Sequence, residues 1–109
     1  QIAELCESRG IYMICDDIYA KLVFDGRAAI PACRYTSKDV ENSKIIIVNG
    51  VAKLYGMTGF SIGWVVAPRD LVKVMGNVLA QPTSCVSPIA QAAAIRISST
   101  RFSFISSLH

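Results

Sequence analysis

Apolar and polar positions follow two rhythms along this chain, and their order predicts a helix end, two buried strands separated by a loop, a third strand, and two further helices. Ile2, Ala3, Leu5 and Cys6 have the spacing of one helical face, and Gly10 stands where such a helix would stop in a left-handed cap. Ile11 to Cys15 is a continuous apolar run ending abruptly at Asp16 and Asp17, the pattern of a strand buried on both faces. Ile18 to Phe24 is apolar but mixed, Asp25-Gly26 predicts a turn, and the irregular stretch through Pro31 to about Asn42 reads as loop. Lys44 to Asn49 is the strongest strand, β-branched through its centre, closed by Gly50 and expected to be buried on both faces.

Residues 50–60 contain Gly50, Gly56 and Gly59 without a sustained period, which predicts a loop or at most a turn of helix. Ser61 to Val66 reads as a third strand, stopped by Pro68. From Arg69, the residues Leu71, Val72, Val74, Met75, Val78 and Leu79 trace an amphipathic helix that Pro82 should end. Ser87-Pro88 is an N-cap followed by proline at the first helical position, and Ile89 to Ile97 continues as an Ala-rich helix. Helix followed by buried strand indicates an α/β architecture. Three strands with these helices do not cover both faces of a sheet, and the chain opens at Gln1 inside an apolar stretch and closes in a Ser-rich run. It is therefore read as a piece of something longer, with residues 1–97 one incomplete domain and 98–109 an unassigned tail.

Composition sharpens this picture: 52% hydrophobic against 17% charged residues is the balance of a chain with a core. The net charge of +3 comes from scattered residues such as Lys21, Lys38, Lys44, Lys73 and Arg96, which argues against nucleic acid and anionic membrane surfaces as partners. No apolar run reaches the roughly 18 residues a spanning helix needs. Cys6, Cys15, Cys33 and Cys85 lie far apart and form no C-x-x-C pair, so reduced thiols and a cytoplasmic setting are expected. With His109 the sole histidine, zinc is not expected, and Ser-His or Cys-His nucleophile pairs are excluded within these residues.

In an open α/β sheet, functional residues gather past the carboxyl ends of strands. Asp16, Asp17 and Tyr19 follow one predicted strand, and Lys53 follows another between glycines. An isolated Asp pair is ordinarily a turn or cap, a lone Lys in a loop is ordinarily solvated, and Tyr19 would ordinarily be core or surface filler.

Their order carries a sharper reading. Asp16-Asp17-Ile18-Tyr19 and Phe24-Asp25-Gly26 resemble the D-E-I-Y and F-D-G segments of class I/II aminotransferases. Val48-Asn49-Gly50-Val51-Ala52-Lys53-Leu54-Tyr55-Gly56-Met57-Thr58-Gly59-Phe60-Ser61-Ile62-Gly63-Trp64 resembles their lysine loop, N-G-x-[SA]-K-x-[YF]-[AG]-M-T-G-[WF]-R-[IL]-G-[YW]. The resemblance implies part of a three-layer large domain, with a mixed, mostly parallel sheet covered by helices. It implies pyridoxal 5'-phosphate as cofactor, amino-acid and 2-oxo-acid substrates, and a homodimeric parent protein.

It further implies that Lys53 carries the cofactor covalently in buried, cationic surroundings and then acts as the base that moves a proton. Asp16 is implied to hold the ring-nitrogen proton, and Tyr19 to meet the ring oxygen. Asp17 stands where the family has Glu and is not expected to touch the ring; Tyr55, Met57, Phe60 and Trp64 are expected to pack. Ser61 replaces an arginine that clamps the cofactor phosphate, offering one neutral hydrogen bond in place of a charge-assisted fork. The family's glycine-rich phosphate loop, ring-stacking aromatic and substrate-gripping arginine lie outside these residues, so the piece alone is not expected to catalyse. A relative that keeps the fold without the reaction, a lyase or synthase of the same fold, and a cofactor-free interaction module are the competing readings.

Overall fold

The computed structural model describes residues 1–80 and 86–99. Three strands form one sheet in the order β1-β2-β3: β1 is Met13–Asp16, β2 is Ile45–Gly50 and β3 is Gly63–Val66. β1 runs parallel to β2, with Met13 opposite Ile45 and Asp16 opposite Val48, whereas β3 is antiparallel to β2, with Gly50 opposite Gly63. Helices α1 (Ile2–Arg9), α2 (Arg69–Leu79) and α3 (Pro88–Ser99) complete the α/β arrangement, with 3₁₀ turns at Ala32–Tyr35 and Thr58–Phe60.

The first helix ends as its sequence predicts. Gly10 adopts φ 67°, and the N–H groups of Gly10 and Ile11 close back on the carbonyls of Glu7 and Cys6. Because Ile11 is spent on that cap, the strand begins at Met13, whose N–H donates to Lys44 O at 2.9 Å, and runs on to Asp16.

Expected burial on both faces is corrected for β1. Met13 and Cys15 are half-buried and share a cavity wall with Ile2 and Ala3 of α1, while Ile14, on the opposite face, is 70% exposed. In β2, Ile45 and Ile46 are both buried, but Val48 is exposed. The described residues thus cover β2 at its entry edge and again at Gly50, and leave Ile14 and Val48 exposed. The third strand also starts later than its apolar run suggests, because Ser61 takes φ 49° and ψ 43°, a left-handed conformation that no extended strand accommodates.

The core beside the long loop is small and specific. Val51, Met57 and Ala94 are buried together, with Tyr55, Ile62, Ala93 and Ile97 packed around them. Ala94 and Ala93 of α3 enter this contact, and Ala90, one turn before Ala94, is buried as well, while Ile89 and Ile95 are exposed. α2 forms as predicted, and Glu41 accepts from its first N–H, that of Arg69, at 2.9 Å. Leu71 and Met75 are its half-buried residues; Val72, Val74, Val78 and Leu79 are exposed. The predicted stop at Pro82, the thiol of Cys85 and the tail from residue 100 lie outside the described residues.

A polar hub ties α1 to the sheet. Glu7 accepts from Ser43 Oγ at 2.6 Å and from the Lys44 N–H at 3.0 Å, and its second oxygen pairs with Lys38 Nζ at 2.8 Å. Lys38 and Ser43 hold the Glu7 carboxyl at a pKa of about 2, with help from the Lys44 N–H and against the upward push of burial.

Candidate functional site

Strand direction decides where the candidate residues emerge. Asp16 is the last residue of β1, the loop bearing Lys53 leaves the carboxyl end of β2, and Ser61 precedes the amino end of antiparallel β3. All three therefore lie at one edge of the sheet.

At Asp16 the chain makes a tight exit. Asp17 N–H donates to Val48 O at 2.9 Å, and Asp16 Oδ1 accepts from the Ile18 N–H at 3.1 Å, an Asx turn that fixes the carboxylate while leaving it exposed. Two turns follow, in which Ala20 N–H donates to Asp17 O and Leu22 N–H to Tyr19 O, each at 2.9 Å. Tyr19 stands on this double turn, 55% exposed. Asp17, half-buried, lines one cavity beside Asp16 and also a smaller one of about 220 Å³ with Lys21, Asn49 and Leu54.

The lysine loop is anchored at its neck and its middle. Val51 N–H donates to Ile62 O at 3.1 Å, joining the two ends, and the fully buried Val51 receives the N–H groups of Tyr55 at 3.2 Å and Met57 at 3.4 Å on its carbonyl. The neck is narrow: a β-carbon on Gly50 would stand 2.8 Å from Ile62 O and 3.2 Å from Ile18 Cδ1, and one on Gly63 would stand 3.1 Å from Asn49 O. Lys53 sits exposed on the turn so formed. The described residues anchor the loop from beneath and leave Lys53 exposed; the buried, cationic surroundings implied for it are those of a whole protein.

Met57 is buried and Tyr55 packs against the loop core, in line with the packing expected of them, whereas Phe60 and Trp64 are 45% and 39% exposed. Ser61 is exposed in its left-handed conformation. Sequence reasoning missed three contributors: Ile18, which covers Gly50; Gly63, which completes the neck; and Lys21, whose ammonium lies 5.8 Å from the centroid of the Tyr55 ring. The one available signal was a glycine at each of two strand ends, Gly50 and Gly63, which pair directly in the ladder.

The whole chain, residues 1–109, matches the family model described as aminotransferase class I and II. Aspartate aminotransferase of Rhizobium meliloti (strain 1021) is 42% identical over 86 residues, covering 78% of this chain and 20% of its own length. That of Geobacillus stearothermophilus is 33% identical over 94 residues, covering 86% of this chain and 23% of its own. The crystal structure of the Rhizobium meliloti aspartate aminotransferase superposes with a TM-score of 0.82 at 33% identity, over 94% of this chain and 25% of that one. A Thermus thermophilus aspartate aminotransferase mutant in complex with tryptophan gives 0.77 at 30% identity, over 92% and 25%. The chain spans about a fifth to a quarter of the length of the relatives it matches.

Proposed function

The chain belongs to the aminotransferase class I and II family, and from that premise we propose that residues 1–97 are the cofactor-bearing central part of the large domain of a transaminase. The whole protein would move an amino group between an amino acid and a 2-oxo acid with pyridoxal 5'-phosphate. The observation that carries this reading is the common emergence of Asp16, Lys53 and Ser61 at one sheet edge, with Tyr19 on the double turn beside them.

The donor set fits the group. An accessible carboxylate, already oriented through one oxygen by the Ile18 N–H, suits a protonated ring nitrogen, and an exposed amine on an anchored turn suits covalent attachment. When bound, pyridoxal phosphate supplies an electron sink for the bond broken at the substrate's α-carbon. In this reading Lys53 holds the group through its amine and then moves the α-proton. Asp16 keeps the ring-nitrogen proton in place by its negative charge. Tyr19 orients the ring through its hydroxyl, and Ser61 donates one hydrogen bond toward the phosphate.

Residues 98–109 carry no role in this reading, and the phosphate loop and substrate-carboxylate site would come from the rest of the protein. We place the whole protein in the cytoplasm as a homodimer. The free thiols of Cys6, Cys15 and Cys33 support a reducing compartment, and no helix among the described residues is long and apolar enough to cross a membrane.

Borohydride reduction of the full-length, cofactor-loaded protein followed by peptide mapping tests the central assignment. The pyridoxyl group is expected on Lys53. Lys44 is already engaged, with Nζ 3.2 Å from Tyr12 Oη, and Lys21 lies over Tyr55. A label on either of those two would overturn the reading.

A further inference from the structure

Residues 17–22 and the lysine loop are separate in sequence, and the structure joins them twice. At the base, Ile18 covers Gly50, where a β-carbon would meet Ile18 Cδ1 at 3.2 Å. At the tip, the Lys21 ammonium lies over the Tyr55 ring, 5.8 Å from its centroid. Tyr19 stands between these two ties, and Lys53 precedes Tyr55 by two positions.

The two partners of the outer tie are held differently. The Tyr55 ring packs on the buried cluster of Val51, Met57 and Ala94, and its N–H is bonded to Val51 O, so it is a fixed platform. Lys21 lies at the start of an exposed stretch, residues 21–31, which makes a turn through Asp25 and Gly26, both at positive φ. It thus reaches the loop from the double turn, just as the chain runs out into that exposed stretch. An ammonium over a phenol ring is attracted by the ring's quadrupole, and the lysine stem lies along the cavity wall with Leu54.

We propose that Lys21 is a positioning residue: by resting on Tyr55 it latches the double turn that presents Tyr19 against the loop that presents Lys53. The latch does not touch the reacting atoms. It narrows the range of separations that Tyr19 and Lys53 sample, and so it acts on how well both meet one bound ring. The positioning role rests on the cofactor reading above, whereas the latch itself does not.

The test separates those two layers in the full-length protein. Hydrogen exchange without cofactor reads the latch directly through the Ala20 and Leu22 amides, whose bonds close the double turn. Lys21→Gln and Tyr55→Leu are each expected to speed that exchange by about two- to fivefold, the equivalent of a cation–π contact of ~0.5–1 kcal/mol. The double variant should be no faster than either single one, and Lys21→Arg should stay at the parent rate. Simple addition of the two effects, or an Arg variant as fast as the Gln variant, overturns the latch.

Titration with pyridoxal phosphate then reads positioning. The same variants should weaken binding by a similar two- to fivefold and shift the pH dependence of the bound cofactor's absorbance, again without adding and again with rescue by Lys21→Arg. A latch present by exchange but without effect on affinity and absorbance overturns the positioning role. Failure of the parent protein to take the cofactor on Lys53 instead removes the functional reading and leaves the exchange result standing.

Discussion

Ile18 lies across Gly50, its Cδ1 3.2 Å from where a β-carbon would project, and so the end of one strand is closed by a residue from the segment that follows its parallel neighbour. On its other side the same β-carbon would stand 2.8 Å from the Ile62 carbonyl, a backbone atom that cannot rotate away. Gly50→Ala must then spread the β2–β3 pair at the mouth of the lysine loop. The expected cost is about 1–3 kcal/mol, the usual range for overpacking a close contact. A lowered thermal midpoint of the full-length protein, together with weaker cofactor capture, checks it.

Glu7 predicts an acid sensitivity remote from the site. Its carboxyl titrates at about 2 in the folded chain against 4.5 ordinarily. A depressed folded pKa contributes stability that is fully present above about 4.5 and is lost as pH falls through about 2. Glu7→Gln should therefore destabilise at neutral pH, by about 1.5–3 kcal/mol if one charged hydrogen bond is lost. The gap between variant and parent should close as the medium is acidified from 4.5 toward 2. Thermal midpoints across that range give the measurement; a gap independent of pH would mean that the Lys38 and Ser43 contacts do not favour the ionised form.

The proposed reading gives the neighbours Asp16 and Asp17 different tasks. Asp16→Ala should leave Lys53 able to take the cofactor while slowing α-proton removal by several orders of magnitude, because the ring proton loses its counter-charge. Asp17→Asn, a change facing the smaller cavity with Lys21 and Asn49, should have a much smaller effect. Exchange of the substrate α-proton with solvent measures the step, and near-normal exchange in Asp16→Ala would show that Asp16 does not hold the ring proton.

Ser61 should limit cofactor retention. Replacing its neutral hydroxyl by a guanidinium adds a charge-assisted hydrogen bond of roughly 1.5–3 kcal/mol, and 1.4 kcal/mol is about tenfold in affinity. Ser61→Arg is expected to tighten pyridoxal phosphate binding by about ten- to a hundredfold and to leave pyridoxal, which lacks the phosphate, little changed. Tightening of both or of neither would mean that residue 61 does not face the phosphate.

The helices and strands were legible because each is a local pattern. The Gly10 cap, the β-branched centre of β2 and the alanines of α3 carry their structure in a few adjacent residues. What could not be read is non-local. Ser61 lies inside an apolar run, yet its left-handed backbone follows from the 3₁₀ turn at Thr58–Phe60 that precedes it. Glu7 looks like an ordinary surface acid, since Thr36, Ser43 and Lys44 reach it from 29, 36 and 37 positions away. Burial on both faces was inferred from apolar runs that record how a strand is covered in a complete domain, and Ile14 shows that the cover does not come from these residues. The candidate site divides the same way: Asp16, Tyr19 and Lys53 are marked by the family pattern, whereas Ile18, Gly63 and Lys21 act through contacts between segments.

The hydrogen bond from Val51 to Ile62 turns the lysine loop into a closed ring of chain, with a knot at the neck where it leaves the sheet. Closing and ordering such a ring carries an entropic cost that some step must meet. Here the knot, and the buried valine that ties it, form with the sheet itself, so the turn bearing Lys53 takes its shape at folding. A ligand arriving at this edge meets a support already set, and its contacts go into affinity and alignment with little diverted to organising the chain beneath it.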